Sequence, residues 1–316
     1  MKLNWYWQFP HDLGSRKSIA DSLKFIYQLD NHGFTGSLVY FHHTSLDPWI
    51  TALAIINNSE KHVPLLAMQP YTMLPTTSAS MIHSISLLNK RKVNLNLVTG
   101  FLSEELIEIG DQLDKSQRYD RIKEYSYIIR SLLTSHEPIT FEGTYYKLNE
   151  FTNNFYVERE LLPNIFMPYT SNTNEGFQAL ISSADTAVTI PKSFSDFKAS
   201  FVNRFENVST EMCVKLQIVA RETHDDALNF LRERDGDFRK RSIRKRLDIN
   251  HNLLDEQEIK LFFPMIDSSG PIIMGNYEEV VSYLRRYVDS GVRNFIVPNI
   301  SNPIELIHFN QIMKMI

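Results

Sequence analysis

Short apolar runs alternate with amphipathic stretches along the whole chain, a rhythm that predicts repeated strand-helix units around a parallel sheet. The runs cover Lys2 to Phe9, Ser37 to Phe41, Val63 to Met68, Val93 to Thr99, Asn164 to Pro168, Ala187 to Ile190, Met212 to Ala220 and Val292 to Val297. Between them, Ile19, Leu23 and Ile26 mark a helix that Gly33 ends with a left-handed cap. Asn276-x-x-Glu279 reads as a capping box for a helix that Gly291 stops, and Asn302-Pro303 suits the start of the last helix. An α/β fold follows, and eight such units close as a (β/α)8 TIM barrel with its reactive groups at the carboxyl ends of the strands. One domain over 1–316 is expected, interrupted at about 135–163, which holds the hairpin-like ITFEGTYYKL, and at about 236–270, which is rich in charge. Insertions of that size serve as lids or interfaces.

Composition narrows the classes of function. With 43% hydrophobic and 22% charged residues the 316-residue chain is ordinary for a globular protein. A net charge of -4 gives no general attraction to nucleic acid or to acidic membranes. Cys213 is the only cysteine, which excludes an internal disulfide and any multi-cysteine metal site. No signal-peptide core or membrane-length apolar run is present, so a cytoplasmic location is expected. No H-E-x-x-H spacing points to a metal, no G-x-G-x-x-G follows a strand, and no G-x-S-x-G elbow supports a hydrolase.

The strand around Val93 to Val98 carries the most chemistry. Asn94 and Asn96 project to one face and Val93, Leu95 and Leu97 to the other. An asparagine buried without a hydrogen bond costs roughly 2 to 7 kcal/mol, so this face requires a polar partner, and a bound ligand is one candidate. The words NLVTG and RYDRIKEYSYIIRSLL, with LNWYW, GFTGSLVYF, LLAMQPYTMLPTT, FEGTYYKL, VARETHDDAL and GVRNFIVPN, resemble the bacterial luciferase-like flavin-dependent monooxygenases in order and spacing. The alkanesulfonate monooxygenase branch is the nearest. The resemblance implies reduced FMN over the strand ends, with its phosphate held by Tyr119, Thr170 and Ser171, and with Ala67, Asn96 and Thr99 against the ring or ribityl chain. Lys115 stands where relatives often carry histidine, and a lysine still neutralises phosphate. Pro168-Tyr169 replaces the usual glycine pair.

The positions that handle substrate depart further from that branch. Ser45 stands for its cysteine, Lys215 and Gln217 for its arginine and histidine, and Ile266 and Ile300 for an arginine and a tyrosine. These changes imply a less anionic pocket and a substrate other than a sulfonate. His43, Ser45 and Gln217 are the candidates for hydrogen bonds to the transferred oxygen or the substrate, and either His42 or His43 can serve as a base. Packing and helix capping are the competing readings for these histidines, and His224 reads as a helix-start residue. The basic run from Arg239 to Arg246 is a solvated insertion or a dock for an acidic carrier domain, and Trp5, Trp7 and Trp49 read as packing.

By analogy with the family, a separate flavin reductase supplies the cofactor, the substrate is a small or carrier-bound organic molecule, and the assembly is a homodimer or homotetramer. Two further readings stay open. One is a non-catalytic flavin-binding partner subunit and the other is a deazaflavin-dependent oxidoreductase.

Overall fold

The computed structural model describes residues 2–10, 16–42, 45–100, 103–169, 173–235, 255–263 and 270–316. Eight strands close as a barrel: β1 (Asn4–Gln8), β2 (Gly36–Val39), β3 (Val63–Met68), β4 (Asn94–Leu97), β5 (Ile165–Pro168), β6 (Thr186–Thr189), β7 (Glu211–Lys215) and β8 (Val292–Val297). They succeed one another around the ring in chain order, as a (β/α)8 barrel requires. Each of the eight apolar runs supplies one barrel strand, and the predicted limits of β3 and β8 match.

Contacts divide the chain into two compact units. The first comprises 1–8, 31–34 and 188–316. Within it, Asn4 Nδ2 donates to Asn294 Oδ1 at 3.0 Å, and Asn294 Nδ2 donates to Glu211 Oε2 at 2.8 Å. This polar ladder crosses β1, β8 and β7. Trp5 stacks on Phe295 at 4.7 Å, while the Trp7 Nε1–H donates to the Ile300 carbonyl at 2.7 Å, so both rings are packing elements.

The run Met212 to Ala220 is two strands rather than one. Leu216 N still bonds the Ile296 carbonyl of β8, but Gln217 N turns to the Pro271 carbonyl. From there Gln217–Arg221 runs parallel to Ile272–Asn276, which pairs in turn with Phe262–Phe263 in a separate three-stranded sheet. The Asn276 box forms with Glu279, Gly291 adopts φ +98°, and Asn302 caps the helix Pro303–Met315. His224 opens the helix His224–Asp235 and contacts Glu279 Oε2 at 2.9 Å through Nδ1.

The second unit comprises 9–30 and 35–187. Its strands β2 and β4 are buried at every residue, which is the parallel-sheet pattern rather than a one-faced alternation. β2 ends at Val39, and beyond it the His42 carbonyl accepts from Ser45 N at 2.9 Å. Trp49 is buried at 1% exposure in the helix Pro48–Asn57, whose N-terminus Asp47 caps. The expected hairpin forms from Ile139–Glu142 and Lys147–Phe151. Its turn is held by the Glu124 carboxylate, which accepts from the backbone N–H groups of Thr144, Tyr145 and Tyr146. A Cβ at Gly143 would stand 2.4 Å from Glu124 Oε2, so only glycine permits this approach.

Candidate active site

The second unit holds most of the described candidates. Ala67 on β3 and Asn96 on β4 are directly opposite in register. Asn94 satisfies its side chain by accepting from Asn164 N at 2.9 Å, whereas the buried Oδ1 of Asn96 has no hydrogen-bond partner among the described residues. The Oε1 of Gln69, one residue beyond β3 and 6% exposed, is a second such orphan. A buried amide oxygen left without a donor costs about 1 to 3 kcal/mol, and a ligand N–H would remove that cost. Gln69 was not among the sequence candidates; the only available sign was an amide directly following an apolar strand.

Tyr119 lies in the helix Lys115–Thr134, which starts with a capping box between Asp114 and Gln117. Tyr119 is buried, and a Cβ at Gly176 would meet its phenolic oxygen at 3.0 Å and Thr173 Oγ1 at 3.1 Å. The phenol therefore sits against the first turn of the helix Asn174–Ser183, whose N-cap is Thr173. Helix N-termini present free N–H groups and a partial positive charge, which suits an anion. Thr170 and Ser171, immediately upstream of this helix, lie outside the described residues. Lys115 is exposed, one helical turn before Tyr119 and on the same helix face. Tyr169 packs its buried ring edge-on against Phe177 at 6.0 Å.

His43 also lies outside the described residues. Ser45 Oγ accepts from His42 N at 3.0 Å and donates to the His42 carbonyl at 2.8 Å, so this hydroxyl fastens its own loop. His42 Nε2 meets Glu105 Oε1 at 2.7 Å, an imidazole oriented by a carboxylate in a half-buried setting. Glu105 belongs to the short helix Ser103–Glu108, and its proximity adds to the effect of burial in raising the Tyr40 phenol. This pairing has no signature in sequence, because its partners are far apart along the chain. Thr99 is half-buried just past β4, its Oγ1 at 3.5 Å from the Gly100 carbonyl.

In the first unit, Gln217 is buried and opens the strand that follows β7 in the chain, in the separate sheet rather than in the barrel. Its Nε2 donates to the Gly270 carbonyl at 3.1 Å, and its Oε1 accepts from Arg234 Nη2 at 3.3 Å. Lys215 ends β7 and is also buried. Ile266 and the basic run from Arg239 to Arg246 lie outside the described residues. Among the described residues, no group of three or more His, Cys, Asp or Glu side chains is gathered as for a metal ion. None of the described helices is long and apolar enough to cross a membrane.

A family model for luciferase-like monooxygenases matches residues 1–294. The chain belongs to that family. It is accordingly an enzyme of the flavin-dependent monooxygenase class. A curated relative from Niallia circulans, 4-(gamma-L-glutamylamino)butanoyl-[BtrI acyl-carrier protein] monooxygenase BtrO, is 30% identical over 99% of this chain and 96% of its own length. Among solved structures, EDTA monooxygenase from Chelativorans sp. BNC1 superposes with TM-score 0.76 at 14% identity, over 100% of this chain and 93% of that one. An F420-dependent secondary alcohol dehydrogenase superposes with TM-score 0.71 at 18% identity, covering 99% and 98% of the two chains. At these identities the structural likeness bears on the fold alone.

Proposed function

We propose that this luciferase-like monooxygenase uses reduced FMN, delivered by a separate reductase, and dioxygen to oxidise an organic substrate held on a carrier protein. The observation that carries the flavin reading is the orphaned, buried Oδ1 of Asn96 at a barrel strand end, opposite the small side chain of Ala67. A flat heterocycle with N–H donors fits such a wall: alanine leaves room for its face, and the amide accepts at its edge. Tyr119, with Lys115, Thr170 and Ser171, would hold the phosphate at the N-terminus of Asn174–Ser183. Thr99 would meet the ribityl chain.

Bound reduced flavin supplies the electrons that activate dioxygen, of which one atom enters the substrate and the other leaves as water. The protein's share is orientation and proton handling. Glu105 orients the His42 imidazole through Nε2, and an imidazole so held is the proposed carrier of a proton to or from substrate. Ser45 shapes the same loop by tying itself to the His42 backbone. His43 and Gln217 complete the proposed set of catalytic residues. Gln217, already held by Gly270 and Arg234, is pre-oriented for contact with substrate.

Support for a carrier-bound substrate comes from the relative BtrO, whose name specifies an acyl-carrier-protein substrate. The test supplies the purified protein with reduced FMN, labelled dioxygen and a panel of acyl thioesters on a phosphopantetheinylated carrier. One labelled oxygen atom in the acyl product is the expected result. Oxidation of the free acids but not of the carrier thioesters would overturn the carrier assignment. Binding of reduced deazaflavin in preference to FMN, with no label incorporated, would overturn the cofactor assignment.

A further inference from the structure

The second unit contains a cleft of 390 Å³, walled by Tyr71, Met73, Leu74, Arg121, Tyr145 and Tyr146. It lies beside the hairpin insertion, whose Tyr146 hydroxyl donates to the Pro70 carbonyl at 2.8 Å and fixes that wall in place. Its volume falls within the roughly 300 to 1,000 Å³ common for small-molecule sites.

Arg121 decides what the cleft can take. Its two terminal nitrogens grip Asp111 in a two-point pair, Nη1 to Oδ1 at 3.1 Å and Nη2 to Oδ2 at 2.7 Å. The Asp111 side chain is only 6% exposed, so the pair is shielded from water and its charge is cancelled. An incoming anion would face a buried carboxylate already in possession of the guanidinium. Yet Arg121 is 9% exposed and its Nε–H, also buried, has no acceptor. What is missing is one neutral hydrogen-bond acceptor. The tyrosine lining agrees: burial, with Asp111 and Glu105 adding to it, pushes the Tyr71 phenol up to about 12, and burial likewise raises Tyr145 and Tyr146. These hydroxyls remain protonated and uncharged, while their rings, Met73 and Leu74 offer apolar surface.

We propose that this cleft binds a neutral aliphatic chain bearing secondary amides, the arm that tethers an acyl group to its carrier, with the Arg121 Nε–H donating to an amide oxygen. The inference rests on the carrier-bound reading above and gives it a location. Sulfonates, phosphates and free carboxylates find no uncompensated cation among the lining residues, because Asp111 already neutralises Arg121.

Binding of two probes to the full-length protein tests it: pantetheine, and N-butylacetamide as a simple secondary amide. Saturation-transfer NMR would follow binding to wild type, Leu74→Glu and Arg121→Lys. Leu74 is 61% exposed, so its substitution leaves the fold intact even if the Arg121 variant does not fold. The expected result is transfer from tyrosine protons to both probes, at least a tenfold loss of affinity in Leu74→Glu, and unchanged FMN binding. Binding of N-butylacetamide alone would keep the amide specificity but remove the carrier arm as its occupant. If neither probe binds, or both bind Leu74→Glu as well as wild type, the inference falls, even when carrier thioesters are oxidised.

Discussion

At the scale of single residues, Asn96 and His62 are two buried polar groups with opposite consequences. The buried Asn96 Oδ1 has no hydrogen-bond partner among the described residues, so removing it should not weaken the fold. Asn96→Leu is expected to leave thermal stability unchanged or raised while FMN affinity falls about tenfold or more, read by flavin fluorescence titration. His62 is fully buried, with Nε2 at 2.7 Å from Ser37 Oγ. Burial lowers its pKa to about 4, with Arg91 adding to the effect and Asp30 opposing it. The folded protein therefore holds this imidazole neutral, while the unfolded chain takes up a proton below about 6.5. Its stabilising contribution is complete above that pH and is lost as pH falls toward 4, by a few kcal/mol at most (on the order of 3). Denaturant titrations should show this slope in wild type and a flatter profile in His62→Gln.

At the scale of elements, the packing of the Tyr119 helix on Asn174–Ser183 admits a sharper test. Alanine is favoured over glycine inside a helix by about 1 kcal/mol, which offsets the crowding that Gly176→Ala brings, so the net change in stability should be small. Its Cβ would nonetheless press on the Tyr119 phenol at 3.0 Å. FMN binding should therefore weaken about tenfold while riboflavin, which lacks the phosphate, binds as before.

The elements themselves were largely legible in sequence. Apolar runs of strand length separated by capped helices can hardly pack except as strand-helix units, and the glycine and asparagine caps fell where expected. The break after Lys215 was not legible, because VKLQIVAR is buried throughout and gives no sign that its hydrogen bonds change partner at Gln217. Nor did the strand pattern distinguish Asn94, satisfied by the Asn164 N–H just before the next barrel strand, from Asn96, whose Oδ1 is not. The pairs His42–Glu105 and Arg121–Asp111 were hidden because loops bring them together.

At the scale of the whole molecule, Cys213 reports on global unfolding. It is fully buried in β7, and burial raises its thiol far above the ordinary range, with Glu211 adding to the effect. A thiol reagent should label it far more slowly than a free thiol, at a rate that levels off at the opening rate once the reagent is concentrated enough to outpace reclosing. Rapid stoichiometric labelling under native conditions would contradict the barrel packing around β7.

The helix Lys115–Thr134 carries Tyr119, Arg121 and Glu124 within about 8 Å of rise. The first meets the helix proposed to bind phosphate, the second lines the amide cleft, and the third clasps the hairpin turn. One stiff rod thus shares three attachments and is the route by which occupancy at one of the two proposed sites would reach the other. Linkage then requires reciprocity: whatever factor flavin adds to the grip on a tethered acyl arm, that arm must return to flavin. Were that factor greater than one, the reductant proposed to arrive from a partner would be held longest when the material to be oxidised is already docked.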